Sequence, residues 1–285
     1  MGIKLISDGG STKADWVALN EQGETVTSFE TQGYNPFYMD SDSIASNFKE
    51  QPALSSLGSQ ISEIYFYGSG CSNDLNNSIV TQGFQQVIPQ ATIYVEHDLK
   101  GAAFATWQGK PGITCILGTG SNSCFFDGQE VSEEIPSLGM IPGDEAGGGY
   151  YGKFLVRDFF YRQMPPEIHQ DFEATYQLEK DEVLNRLYQQ PRPSAFLAQF
   201  MPFMANHRKD PYIRKLLLFG MQEFFKYHIS CYPEYKQYPV HFIGSIAWYF
   251  LDELKEVAEE FESEIGKVIK RPIDGLIDYH RQYSL

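Results

Sequence analysis

Two short turns in this chain carry the residue types that phosphate chemistry needs. In the first, an apolar run reaches Asp8, then Gly9, Gly10, Ser11, Thr12 and Lys13, before a second apolar run begins at Trp16. Glycines let such a turn take positive φ and let its backbone approach a ligand closely. The hydroxyls and backbone N–H groups can hold phosphate oxygens, and Lys13 can add a point charge. Asp8, at a strand end, can hold a hydrated Mg²⁺. An ordinary hairpin with a polar tip has the same pattern. The device recurs: residues 113–117 are apolar, Gly118, Thr119, Gly120, Ser121 and Asn122 form a turn, and 123–128 return as a strand. Two such hairpins, each opening a half of the chain, suggest two related half-domains facing across a cleft. Neither is a GxxxxGK[ST] loop, and Gly118-x-Gly120 lacks the third glycine of a dinucleotide fingerprint.

Four further positions could act with these turns. Asp98 lies where a strand over 91–96 meets a helix over 99–107. It reads either as a helix N-cap or as a general base facing the ligand crevice. His97 beside it reads as a packing group or a support. Asn35 precedes Pro36, so it is extended or in a turn. Its amide either points at a ligand or is simply solvated. Ser69 belongs to a run of small residues at the end of a strand over 63–68, where open α/β sheets place ligands. Asp144 sits among five glycines within 138–150. It reads as the cap of a helix running to about residue 162, or as part of a loop whose backbone lies against a ligand. A strand–glycine–helix junction at Gly244 and Ser245 suits a flat nucleotide base.

The elements that must position these residues alternate in type. Strands over 3–6, 15–20 and 25–29 open the chain, and helices and strands then alternate as far as residue 107. Residues 108–112 form a loop and a boundary. A region over about 165–237, broken by prolines and rich in aromatics, reads as a helical insertion covering the second half's sheet. A buried strand over 239–243 leads to a long helix over 248–265, and a last helix over 272–279 closes the chain and is expected to pack back on the first domain. The expected fold is α/β. It has two similar domains, 1–107 and 108–269, each a mixed sheet with flanking helices. With 285 residues and 42% hydrophobic content, the chain can bury a substantial core.

Charge and cysteine usage narrow the function classes. A formal net charge of −15 argues against nucleic acid and anionic membrane as partners, though not against a nucleotide held by local donors and a metal. Cys71, Cys115, Cys124 and Cys231 form no CxxC and read as small apolar residues rather than a disulfide or metal set. The other histidines show no metal-ligand spacing. No signal pattern or membrane-span-length apolar run is seen, so the expected location is the cytoplasm. Oligomeric state stays open, a homodimer included.

Together, four stretches resemble the actin-like ATPase superfamily of sugar kinases and heat-shock ATPases. More narrowly, the chain resembles the N-acetylglucosamine kinase group, classed with the BadF/BadG/BcrA/BcrD-type ATPases. The residues from Asp8 to Lys13 resemble the first phosphate motif, and those from Gly118 to Asn122 the second. Gly143-Asp144-Glu145 resembles the sugar-side loop and Ile243-Gly244-Ser245 the adenosine motif. The resemblance implies ribonuclease H-like domains with the active site in the interdomain cleft, and ATP-dependent phosphorylation of an amino sugar, N-acetylglucosamine or a relative. It makes Asp98 the general base. It places Asn35, Ser69, Thr119 and Asp144 at the sugar, with Asp98 itself also touching it, and Asp8 near Mg²⁺ through water. Lys13 stands where the family often has Lys or Arg. Ser245 departs from the second glycine usual in the adenosine motif. The grouping also contains nucleotide-switched activators of other enzymes, which share an iron–sulfur cluster between subunits. Cys71 has no partner at a recognisable cluster spacing. That counts against an activator of this kind; a nucleotide-switched regulator, in which ATP closes the cleft and a protein partner reads the shape, is the alternative function.

Overall fold

The structure, a computed structural model, describes residues 2–10, 12–233 and 235–283. Ser11, one of the expected phosphate-binding residues, lies outside the described residues. The chain divides into two compact units, Met1–Gln108 with Arg271–Leu285, and Gly109–Lys270.

In the first unit, β1 (Ile3–Gly9), β2 (Lys13–Leu19) and β3 (Thr25–Gln32) are joined by short turns and pair antiparallel. Helices α1 (Ser41–Lys49) and α2 (Pro52–Leu57) then carry the chain over to β4 (Ile61–Gly68), and α3 (Asp74–Val87) carries it to β5 (Thr92–His97). Helical crossovers make parallel neighbours, so β4 lies parallel to β1 and β5 parallel to β4. The sheet order is β3-β2-β1-β4-β5, and α4 (Asp98–Thr106) follows β5 directly. Asp40 caps α1 by accepting from the Ser43 amide, and Asn73 caps α3 by accepting from the Asn76 amide. Caps of this kind each contribute about 1 kcal/mol. Trp16 anchors the core: it is buried, stacks on Phe29, meets Phe84 edge-on, and its Nε1 donates to Thr31 Oγ1 at 3.0 Å.

The second unit repeats this plan. β6 (Gly112–Leu117), β7 (Ser121–Phe126) and β8 (Val131–Ser132) pair antiparallel. Six helices follow: α5 (Gly148–Phe160), α6 (Pro166–Tyr176), α7 (Lys180–Tyr188), α8 (Pro193–Ala198), α9 (Met201–Asn206) and α10 (Pro211–Phe224). Prolines at the first turns of α6, α8, α9 and α10 start these helices, as proline favours, because the N–H it lacks has no helical partner there. A π-helical turn, Phe225–Ile229, extends α10. Then come β9 (Val240–Ile243), α11 (Ser245–Tyr249), α12 (Leu251–Glu260) and β10 (Ile265–Ile269). The order β10-β9-β6-β7-β8, with β6, β9 and β10 parallel, matches the first unit strand for strand. Two mixed five-stranded sheets flanked by helices are the α/β architecture expected.

Two expectations are corrected. The long helix over 248–265 is two helices broken at Phe250, and 265–269 is a parallel edge strand. Helix α5 begins at Gly148 with Gly147 as its cap, so Asp144 stands three residues before the cap and does not close the helix. Finally, α13 (Pro272–Tyr283) belongs to the first unit, where it lies on α4 and β1. Tyr279 stacks on Phe104 at 4.1 Å, and His280 Nε2 meets the Tyr67 hydroxyl at 3.0 Å.

Candidate active site

In the first unit the chemistry gathers at the ends of parallel strands. Asp8 and Gly9 end β1, and Asp8 pairs in register with Asp15 on β2. Burial, and the nearby carboxylates Asp15 and Asp98, push the Asp8 carboxyl up to about 7, against the opposing pull of Arg271 and Lys13. An oxygen donor held this way suits a hard, hydrated cation. Gly10 and Thr12 are exposed at the turn, and the Thr12 carbonyl accepts from the Gly33 amide at 2.9 Å. Lys13 is tied to carboxylates: its Nζ lies 2.5 Å from Glu30 Oε1 and 3.2 Å from Asp15 Oδ1. Arg271 adds a second cation 3.5 Å from Asp15.

Ser69 follows β4, and its amide donates to the Gly9 carbonyl at 2.7 Å, so the small-residue loop abuts the end of β1. Asn35 is buried, which removes the solvated-turn reading. Its Oδ1 accepts from the Phe37 amide at 2.9 Å. A Cβ at Gly70 would fall 2.6 Å from that oxygen, so this seat for Asn35 requires glycine. Asp98 is the first residue of α4, while His97 occupies the cap position without a side-chain cap bond. The N-cap reading of Asp98 is thereby corrected. Its Oδ1 lies 3.2 Å from His97 Nε2, and its side chain is about a quarter exposed (24%). Burial pushes the neighbouring Cys71 thiol up to about 12, which keeps it protonated and inert.

In the second unit the Gly118–Ser121 turn is held by the start of α5. The Gly118 amide donates to the Gly120 carbonyl, while the Gly148 and Gly149 amides donate to the Gly118 and Thr119 carbonyls, both at 2.8 Å. These first amides of α5 are engaged with the turn, so the helix start does not itself present a bare anion site. Asp144 Oδ1 accepts from the Ser121 amide at 3.2 Å. Burial raises the Asp144 carboxyl, an effect that the Ser121 amide opposes. Asp144 and Ala146 both take left-handed backbone, with φ of 58° and 59°. For residues other than glycine this costs about 1–2 kcal/mol each. Between them, Glu145 Oε2 lies 3.1 Å from His228 Nε2. At the β9–α11 junction Gly244 has φ of 117° and sits against the Leu117 carbonyl, with Ser245 exposed as the first residue of α11.

No family model and no curated protein sequence matches the chain. Among solved structures, a Porphyromonas gingivalis protein described as a "putative N-acetylglucosamine kinase" aligns over 100% of both chains, with 33% identity and a TM-score of 0.92. The chain belongs to the N-acetylglucosamine kinase-like family of sugar kinases. A Chromobacterium violaceum protein with the same description aligns at 16% identity and a TM-score of 0.75, covering 98% of this chain and 99% of that one. A ROK family glucokinase from Streptomyces griseus, solved with glucose and AMPPNP, aligns at 15% identity and a TM-score of 0.57, covering 98% of each. These more distant likenesses place the N-acetylglucosamine kinase-like chain in the two-domain actin-like ATPase fold.

The structure also brings forward residues that the motifs of this family did not single out. Asp15 and Arg271 share the charge network of Lys13, and His228 is joined to Glu145. Asp144 and Glu145 were visible in one motif. His228 lies 83 residues from Glu145 inside the helical insertion, where no local pattern marks it.

Proposed function

We propose that this sugar kinase transfers the γ-phosphoryl group of ATP to a hydroxyl of an amino sugar, N-acetylglucosamine or a close relative. The observation that carries the reading is the full-length, 33% identical match to the Porphyromonas gingivalis protein, whose description names that sugar. The glucokinase with bound glucose and AMPPNP supports ATP as donor on the same fold.

Asp98 takes the role of general base. As the hydroxyl oxygen attacks the γ-phosphorus, its proton passes to the Asp98 carboxylate. The bond from phosphorus to the β–γ bridging oxygen breaks, and ADP leaves. A side chain partly open to solvent, at the end of a parallel strand, with His97 beside its Oδ1, supports that role. Asn35, Ser69, Thr119 and Asp144 are the residues assigned to hold the sugar. The donors of the 9–13 and 118–121 turns, apart from the Gly118 and Ser121 amides that are engaged within the protein, are assigned to the phosphates, and Gly244 and Ser245 to the nucleoside. Asp8 fits a hydrated Mg²⁺, which supplies charge neutralisation for the transferring phosphoryl when bound with ATP. Phosphoryl transfer gains most from positioning and electrostatics, which donors placed at strand ends can supply.

The test is ADP release from Mg-ATP against N-acetylglucosamine, N-acetylmannosamine, glucosamine and glucose. Stimulation by an N-acetylated amino sugar above the sugar-free rate is expected. A slow hydrolysis that no sugar changes would overturn the kinase reading and favour a nucleotide-switched regulator of a protein partner.

A further inference from the structure

The loop that carries Asp144 holds two left-handed residues that are not glycine, Asp144 and Ala146. Such a loop needs anchors. Ala146 is fully buried, the Gly147 amide donates to the Asp144 carbonyl at 2.9 Å, and the Ser121 amide holds the Asp144 carboxylate. The residue between the two strained positions is Glu145, whose carboxylate meets His228 Nε2 at 3.1 Å. His228 is itself held by several neighbours. It is buried in the π-helical turn, and its ring stacks on Phe224 at 4.7 Å with an interplanar angle of 13°. Its carbonyl accepts from Ser123 Oγ at 2.9 Å, on the strand that leaves the second phosphate turn. That hydroxyl also meets the Tyr232 hydroxyl at 3.1 Å.

The state of the imidazole follows from its partners. Nδ1 is buried and has no hydrogen-bond partner among the described residues. An ionised carboxylate only accepts, so the ring nitrogen that meets Glu145 must carry a proton to bond it. The proton therefore sits on Nε2 and is donated to the Glu145 carboxylate, a charge-assisted bond. π-Helical turns recur at functional sites, and this one delivers a ring to a loop that holds a substrate-site candidate.

We propose that Glu145 and His228 form a positioning pair that locks the left-handed 144–146 segment and so presents the Asp144 carboxylate to the sugar. The inference rests on the sugar-kinase reading. It assigns sugar affinity, rather than nucleotide affinity or proton transfer, to the pair. Neither residue touches the reacting atoms.

The experiment compares the full-length wild type with Glu145→Ala, Glu145→Gln and His228→Gln. KM is measured for sugar and for ATP, and deuterium uptake is measured at residues 143–149. Glu145→Ala removes the acceptor. It is expected to raise the KM for sugar on the order of tenfold, with the KM for ATP nearly unchanged, and to speed exchange at the Gly147 amide. Glu145→Gln keeps an acceptor oxygen and His228→Gln keeps a donor, so each is expected to recover most of the sugar affinity. A purely structural role would raise both KM values together and would not be rescued by Gln. An unchanged sugar KM in Glu145→Ala, or equal losses for sugar and ATP, would overturn the inference. If the wild type phosphorylates no sugar, the kinase reading fails by itself. Exchange then decides the loop-locking claim, with uptake unchanged in Glu145→Ala overturning it.

Discussion

The Asp144 carboxylate packs against the backbone of Gly120 so closely that a Cβ at residue 120 would fall 2.6 Å from Asp144 Oδ1. The turn and the loop meet at the Asp144 side chain: Gly120 makes room, and the Ser121 amide takes the carboxylate at 3.2 Å. Gly120→Ala must push Asp144 aside and break that bond. A displacement near 1 Å at a positioning group costs about 10²-fold in rate. The expected result is a loss of that order in kcat/KM for the sugar, with the variant still folded by circular dichroism. Steady-state kinetics on the purified variant check it, and near-normal turnover would show that Asp144 does not depend on this seat.

Asp98→Asn keeps the size of the side chain and removes its basicity. The loss of a general base costs about 10²–10⁴-fold in turnover. ATP affinity is expected to hold, because the turns assigned to the phosphates and the junction assigned to the nucleoside are untouched. Single-turnover phosphorylation and calorimetric titration with a non-hydrolysable ATP analogue separate the two effects. Turnover within a few-fold of wild type would return Asp98 to a structural role at the start of α4.

How much of this was legible in the sequence depended on whether the signal was local. The two glycine and hydroxyl turns stood out because apolar strands flank them on both sides, and the repeated hairpin anticipated two mixed sheets. β10 was not legible: Ile265-Gly266-Lys267-Val268-Ile269 is a half-buried edge strand, with a glycine and a lysine interrupting its apolar run. The helix start assigned to Asp144 failed because aspartate before glycines looks like a cap. Aspartate visits left-handed backbone more readily than most residues, but the same conformation at Ala146 leaves no trace in residue type. The contact from Glu145 to His228 spans a helical insertion, and pairing over such a distance follows from packing rather than from pattern.

Acid should loosen the first unit through His280. Burial lowers this imidazole from its ordinary 6.5 to about 4, and Nδ1 is buried without a partner among the described residues. Its ring lies against Tyr65, and its Nε2 meets Tyr67. A histidine held neutral in the fold binds its proton first in the unfolded chain. Its contribution is therefore complete above pH 6.5 and is lost as pH falls towards 4. The full span corresponds to about 3 kcal/mol. His241 in the second unit, also lowered to about 4, has the same sign. Urea unfolding at pH 7.5 and pH 5 should show a smaller acid-induced loss for His280→Gln than for wild type. An equal loss in both would exclude His280 as a source of the acid sensitivity.

Asp8 should act in the opposite direction. Its carboxyl is raised from 3.8 to about 7, so the folded chain holds that proton more tightly than the unfolded chain does. By linkage, stability falls as pH rises from 3.8 through 7, and the ionised carboxylate is a liability unless a cation offsets it. Removing the charge should relieve the repulsion from Asp15 and Asp98. Asp8→Asn is expected to gain about 2 kcal/mol at pH 8 without metal, allowing for water around a half-buried group. The same variant should lose most sugar phosphorylation, because the group that suits hydrated Mg²⁺ is gone. Adding Mg²⁺ with ATP should stabilise the wild type more than the variant in a thermal shift assay. A variant no more stable than wild type at pH 8, with an equal response to Mg-ATP, would remove Asp8 from the metal site and leave its raised carboxyl without a functional reason.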